Sequence, residues 1–166
     1  MSPIPDPNAT LSNERVFSAS PRAIFGAFED PGSLARWWGP AGFTNTFEQF
    51  EFRPGGTWRF VMHAPNGANY PNESVFREIE RDSRIVIEHV VEPRFRLTVT
   101  LTARGGETHL AWDQEFESPE MAERMRPLCE TANEQNLDRL QAVLAGMRGE
   151  CPTPGTVDRE ERAFAG

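Results

Sequence analysis

The chain has 166 residues and a formal net charge of −8, and its 17 cationic residues are all arginine. A chain of this length fits one domain that buries roughly 70% of its unfolded surface. The acidic balance argues against nucleic acid and anionic membranes, whose phosphates would be repelled, and no signal peptide or membrane-length apolar run is visible, so a cytoplasmic protein is expected.

Residues 1–12 hold three prolines and little apolar matter and read as a mobile, disordered N-terminus. Glu14 to Ser18 reads as a short first strand. Ser20 can cap a helix with Pro21 at its first position and Ile24, Phe25 and Phe28 on its apolar face. Asp30 can cap a second short helix beginning at Pro31, with Leu34, Trp37 and Trp38 at helical spacing, and Gly39-Pro40 ends it. Phe43 to Arg53 reads as a strand, Gly55-Gly56 as a tight turn needing positive φ, and Thr57 to His63 as the returning strand. Trp58, Phe60 and Met62 then share a face.

Residues 63–72 read as a hairpin loop turning at Asn66-Gly67. Glu73 to Glu80 is the expected fourth strand and Arg84 to Val91 the fifth, with Ile85, Ile87 and His89 on one face. Phe95, Leu97, Val99 and Leu101 alternate with threonines on the sixth. After Gly105-Gly106, the last strand puts Thr108, Leu110, Trp112, Gln114 and Phe116 on one side. Short strands joined by such turns predict an antiparallel sheet. Ser118-Pro119 opens a helical segment, which Pro127 is expected to divide into a short helix to about Met125 and a longer one to about Met147. The longer helix carries Leu128, Ala132, Leu137, Leu140, Val143, Leu144 and Met147 as its apolar stripe. Residues 13–147 thus form the expected domain, and 148–166 a flexible tail rich in proline, glycine and charge.

No reaction chemistry stands out. His63, His89 and His109 fall on different strands without ligand spacing, so no metal is assigned. Neither glycine pair opens a helix after a strand as a phosphate loop would, and no Gly-x-Ser-x-Gly occurs. Cys129 and Cys151 do not make a disulfide framework; Cys129 reads as a small buried hydrophobe. Glu78, flanked by Phe76 and Ile79, is read as facing outward. No catalytic residue and no cofactor are assigned.

The run from Pro21 through Phe25, Phe28, Asp30-Pro31, Leu34 and Trp37-Trp38-Gly39-Pro40 to Phe43, followed by Glu51-Phe-Arg-Pro-Gly-Gly-Thr-Trp58, resembles the SRPBCC superfamily. Within it, the chain is similar to the branch named after the activator of the ninety-kilodalton heat-shock protein ATPase, from about Glu14 to Ala145. The resemblance implies an α+β helix-grip fold. A curved antiparallel sheet would wrap around a long C-terminal helix, with two short helices after the first strand and an internal cavity. It does not imply one function, since the superfamily spans carriers, cyclases, hormone receptors and co-chaperones.

Two positions depart from the family pattern. Ala132-Asn133 stand where the long helix usually carries Gly-Trp, and His89 stands where the fifth strand is often aromatic. Both replace a large ring by a smaller polar group that needs a partner, supplied either by a ligand or by backbone and water. The resemblance makes the core face and the cavity wall largely the same residues, giving Trp38, Trp58, Phe60, Met62, His89, Val99, Trp112, Asn133 and Leu137 as expected ligand-binding positions. The favoured function is binding of a hydrophobic or aromatic small molecule, by a monomer or homodimer. The alternatives are a cyclase, dehydratase or isomerase in the same cavity with His89 as acid or base, and a co-chaperone-like interaction domain.

Overall fold

The computed structural model of the chain describes residues 6–147. After a 3₁₀ turn at Pro7–Ala9 come β1 (Thr10–Phe17), α1 (Pro21–Glu29), α2 (Pro31–Trp37), β2 (Thr44–Phe50), β3 (Thr57–His63), β4 (Asn69–Glu80), β5 (Arg84–His89), β6 (Phe95–Arg104), β7 (Glu107–Phe116) and α3 (Pro119–Met147). The strands form one antiparallel sheet in the order β1-β7-β6-β5-β4-β3-β2. β2 to β7 are successive hairpins, whereas β1 joins the far edge beside β7. The short α1-α2 segment therefore links opposite edges, which requires the sheet to curl. α3 returns from β7 along the concave side, packing on β1, β7, α1 and α2. This is the expected α+β helix-grip fold.

Local chemistry sets the helix starts. Ser20 Oγ accepts from the Ala23 amide at 3.1 Å, and Asp30 Oδ2 accepts from the Ser33 amide at 2.9 Å, each satisfying a first-turn donor. A bulge between Phe47 and Gln49 brings Phe50 back to the side of Phe47, and the two rings stack at 5.6 Å. The main core joins Phe17, Phe25, Phe28, Trp37, Trp58, Phe60, Phe76, Trp112, Leu137 and Leu140, among others. A smaller cluster of Leu11, Phe116, Ala122 and Cys129 lies at the N-terminal end of α3.

Several boundaries differ from expectation. The N-terminal segment is ordered well before residue 13: β1 begins at Thr10, Leu11 is fully buried and pairs with Gln114, and the Asp6 amide donates to Glu115 Oε2 at 3.0 Å. Edge pairing with β7 outweighs the local polar composition. β4 starts at Asn69 rather than Glu73, and includes Pro71 opposite Val61. Gly55 takes the positive φ of the turn (+84°), whereas Gly56 is needed for close approach, since a Cβ there would lie 2.0 Å from the Glu51 carbonyl oxygen. α3 is one helix through Pro127. Pro127 and Glu123, the residue whose carbonyl it leaves without an i→i+4 donor, are both exposed, and Arg126 bridges the position with ion pairs to Glu123 and Glu130. Leu128, expected on the apolar stripe, is 67% exposed, and Cys129 takes the buried place beside it. The tail at 148–166 and the Met147 side chain lie outside the described residues. Among the described residues no helix is long and apolar enough to cross a membrane.

Candidate functional site on the concave sheet face

The hairpin alternation aims Trp58 and Phe60 of β3, Ile85, Ile87 and His89 of β5, Val99 of β6, and Trp112 and Gln114 of β7 at the inner side, where all are buried. The expected wall residues largely pack against one another. Trp38 lies 5.0 Å from Trp58 and 5.7 Å from Trp112 between ring centroids, and Trp58 stacks on Phe60 at 4.2 Å. Val99 pairs with both Ile85 and Trp112, and Leu137 of α3 belongs to the same cluster. Trp38 and Met62 are only half-buried at its margin. Trp38 is the C-cap of α2 rather than part of its helical face.

His89 and Asn133 fall outside this aromatic cluster. Asn133 and Gln114 form a polar belt between the two apolar clusters, and His89 lies beyond it, past Leu97 and Phe95 of β6. On β7, Gln114 sits two residues from Trp112 on one side and Phe116 on the other; on α3, Asn133 sits one turn from Cys129 and from Leu137. Asn133 Nδ2 donates to Gln114 Oε1 at 3.1 Å and to Asn13 Oδ1 of β1 at 3.3 Å. Further along the sheet, His89 stacks on Phe95 at 4.7 Å, and Phe95 touches both clusters. Ser74, opposite His89 on β4, is buried, and its hydroxyl has no partner among the described residues. A groove of about 300 Å³ opens at Phe95 and Phe116, rimmed by Glu88, Arg94, Arg96, Glu115 and Glu117.

His89 is held at both ring nitrogens. Nδ1 is 2.8 Å from the Pro93 carbonyl oxygen and Nε2 is 2.7 Å from Asn72 Oδ1. Asn72 Nδ2 in turn donates to the Tyr70 carbonyl at 2.8 Å, which fixes the amide's orientation. Both partners of the ring are acceptors, an arrangement only an imidazolium satisfies fully. Burial opposes this and is the largest influence, holding the His89 pKa below its usual value despite the upward pull of the Pro93 and Val91 backbone and of Glu92. Among the described residues no carboxylate is bonded to the ring.

The segment carrying Trp38 is tied down by α3. Asn136, only 5% exposed, accepts from the Gly39 amide at 3.2 Å and donates to the Trp37 carbonyl at 2.8 Å; Gln135 accepts from the Ala41 amide at 3.1 Å. Arg139 Nη1 donates to the carbonyls of Trp38, Gly39 and Pro40, and Nη2 to those of Arg36 and Phe43. These ties make the Arg36–Phe43 segment a strap, or lid, fastened to α3, and the one sequence signal for them is a charged residue between stripe positions Leu137 and Leu140. Gln114 lies on the expected face, and Asn72, expected in the hairpin loop, belongs to β4 and holds His89. Glu78 bonds Arg84 Nη1 at 2.7 Å, and His109 meets Glu14 at 2.6 Å on the outer face. Among the described residues no group of acidic, histidine or cysteine side chains is placed to hold a metal ion.

Known proteins place this architecture. A protein from Nitrosomonas europaea superposes with a TM-score of 0.80 at 18% identity, over 87% of this chain and 99% of that one. A protein from Arthrobacter aurescens gives 0.78 at 25% identity, over 84% and 87%. The AHSA1 protein from Silicibacter pomeroyi gives 0.69 at 23% identity, over 84% and 99%. These likenesses establish the fold. No curated protein matches the chain at a significant level. The family model for Activator of Hsp90 ATPase homolog 1-like proteins matches residues 18–145, and the chain belongs to that family.

Proposed function

We propose that this domain binds a hydrophobic or aromatic small molecule between the concave sheet face and α3, along the polar belt. The observation that carries this reading is the set of polar side chains buried on an otherwise apolar face: Ser74, His89, Gln114 and Asn133 are all less than one-tenth exposed. A site for a small ligand has this character, apolar walls with a few placed polar groups. Half-buried Trp38 and Phe95, next to the belt, offer ring surface that a ligand would cover. Val99, Trp112 and Leu137 form the floor beneath it. Trp58 supports the Trp38 ring directly, with Phe60 stacked on Trp58 and Met62 at the margin beside Gly39. Asn133 orients the ligand's polar end, while His89, held at both ring nitrogens, fixes the Phe95 ring beside it. The acidic net charge favours a neutral ligand over an anion.

The test uses the full chain and the neutral fluorophore 1-aminoanthracene. Saturable binding of one molecule per chain is expected, with a Kd on the order of 10 µM for a ligand of this size. Energy transfer from tryptophan should accompany binding, and Gln114→Trp, which fills the belt, should abolish it. Absence of saturable binding, or binding indifferent to Gln114→Trp, overturns the proposal.

A further inference from the structure

The belt has a direction, and it can be followed outward from a charge. Arg15 Nη2 pairs with Glu134 Oε1 at 2.9 Å, and Asn13 Nδ2 donates to Glu134 Oε2 at 2.8 Å. A carboxylate only accepts, so Asn13 must turn its amino group to Glu134 and its carbonyl oxygen toward α3. Asn133 must then present its own amino group, whose second proton goes to Gln114 Oε1. The carboxylate thereby fixes every amide in the chain. What remains at the inner end is the Gln114 Nε2 amino group, with both of its N–H donors, and one acceptor, Asn133 Oδ1.

Neither atom has a partner among the described residues, and the two side chains are only 7% and 8% exposed. Leaving such groups unmet costs about 1–3 kcal/mol each. They are not sealed in: the enclosed, unpartnered side-chain atoms among the described residues are Asn45 Oδ1, Trp58 Nε1 and Asp82 Oδ1. The donor and acceptor are therefore not fully enclosed, and Gln114 lies next to apolar Leu97 and Trp112 on the inner face.

We infer that Gln114 and Asn133 read the polar end of the ligand as a matched pair, and that the ligand is a neutral ring compound carrying a carbonyl flanked by an N–H, such as a carboxamide or lactam. The carbonyl accepts from Gln114 Nε2 and the N–H donates to Asn133 Oδ1. A carboxylate would place lone pairs against Asn133 Oδ1, and an ammonium would meet the Gln114 amino group. Arg139, the cation tied to the adjoining lid, is already committed to backbone carbonyls. This assignment rests on the binding reading above and specifies its ligand class.

The experiment titrates the full chain with three probes of nearly the same shape: benzamide, acetophenone and cumene. Binding is followed through the tryptophan indole N–H signals by NMR. Their affinity ratios are compared between the natural chain, Gln114→Leu and Gln114→Glu, so that differences in probe hydration cancel. The benzamide-to-cumene ratio should fall about tenfold or more in Gln114→Leu, the equivalent of about 1.4 kcal/mol. Gln114→Glu keeps the bond to Asn133 but replaces the outward donor by an acceptor, and should lower the acetophenone-to-cumene ratio as well. Ratios unchanged in both variants, with all three probes binding, overturn the amide-reading pair and leave the cleft intact. Failure of every probe to bind the natural chain overturns the cleft reading and this assignment together.

Discussion

Arg139 gives the most quantitative handle on the site, because one guanidinium holds the whole lid. Its two terminal nitrogens donate to five carbonyls at 2.8–3.1 Å, spanning Arg36 to Phe43. These nitrogens carry four protons between them, so one is shared. Hydrogen bonds from a charged donor are worth about 1.5–3 kcal/mol each, but the contributions do not add, and the outer carbonyls can turn to water when the clamp is lost. Counting two bonds as unrecoverable gives a loss of about 3 kcal/mol for Arg139→Met, which keeps the apolar stem. For a domain of this size that corresponds to a fall in Tm of about 10 °C. Arg139→Lys retains the charge near the C-terminus of α2 but reaches fewer carbonyls, and should lose about half as much. Urea unfolding with an unchanged m value is the assay. A loss below about 0.5 kcal/mol for Arg139→Met would refute the claim that α3 fixes the lid through this side chain.

Three further outcomes are expected. The His89 pKa is lowered in the folded state, so the unfolded chain takes up the proton first as pH falls; stability should drop from about pH 6.5 downward, and His89→Phe should remove that component. If the difference between the natural chain and His89→Phe instead grows on acidification, the two acceptors around the ring outweigh burial. Gly56→Ala should cost more than about 3 kcal/mol, because the new Cβ meets Glu51 backbone, whereas Gly55→Ala, strained only by its positive φ, should cost about 1–2 kcal/mol. Equal costs in denaturant unfolding would contradict the assignment of close approach to Gly56. Trp37 Nε1 donates to the Ala27 carbonyl at 3.0 Å while Trp58 Nε1 has no partner, so Trp37→Phe should destabilise by about 1–2 kcal/mol more than Trp58→Phe in the same assay.

Much of this architecture is legible in the sequence because it depends on local rules. Ser20-Pro21 and Asp30-Pro31 state where α1 and α2 begin, and the alternation from Thr108 to Phe116 states which side of β7 is inside. Pro127 does not divide the helix because it is exposed and packing at both ends of α3 keeps the segment one helix. The start of β1 was hidden because its stability comes from pairing with β7, about a hundred residues later. His89 and Asn133 could be flagged as polar groups on apolar faces. Their partners could not, because Asn13, Gln114 and Asn133 meet only once β1, β7 and α3 are brought together. The direction of that chain depends on one exposed carboxylate, Glu134, which no local pattern distinguishes from its neighbours.

The measurement that bears most directly on the central claim is a ¹⁵N NMR titration of the full chain with 1-aminoanthracene, following the tryptophan indoles and the side-chain amides together. The account expects intermolecular contacts from the ligand to Trp38, Gln114 and Asn133, with the outward-facing His109 and Glu78 unaffected. Contacts confined to the outer face of the sheet, or no perturbation of the Trp38 and Gln114 signals at saturating ligand, would contradict it.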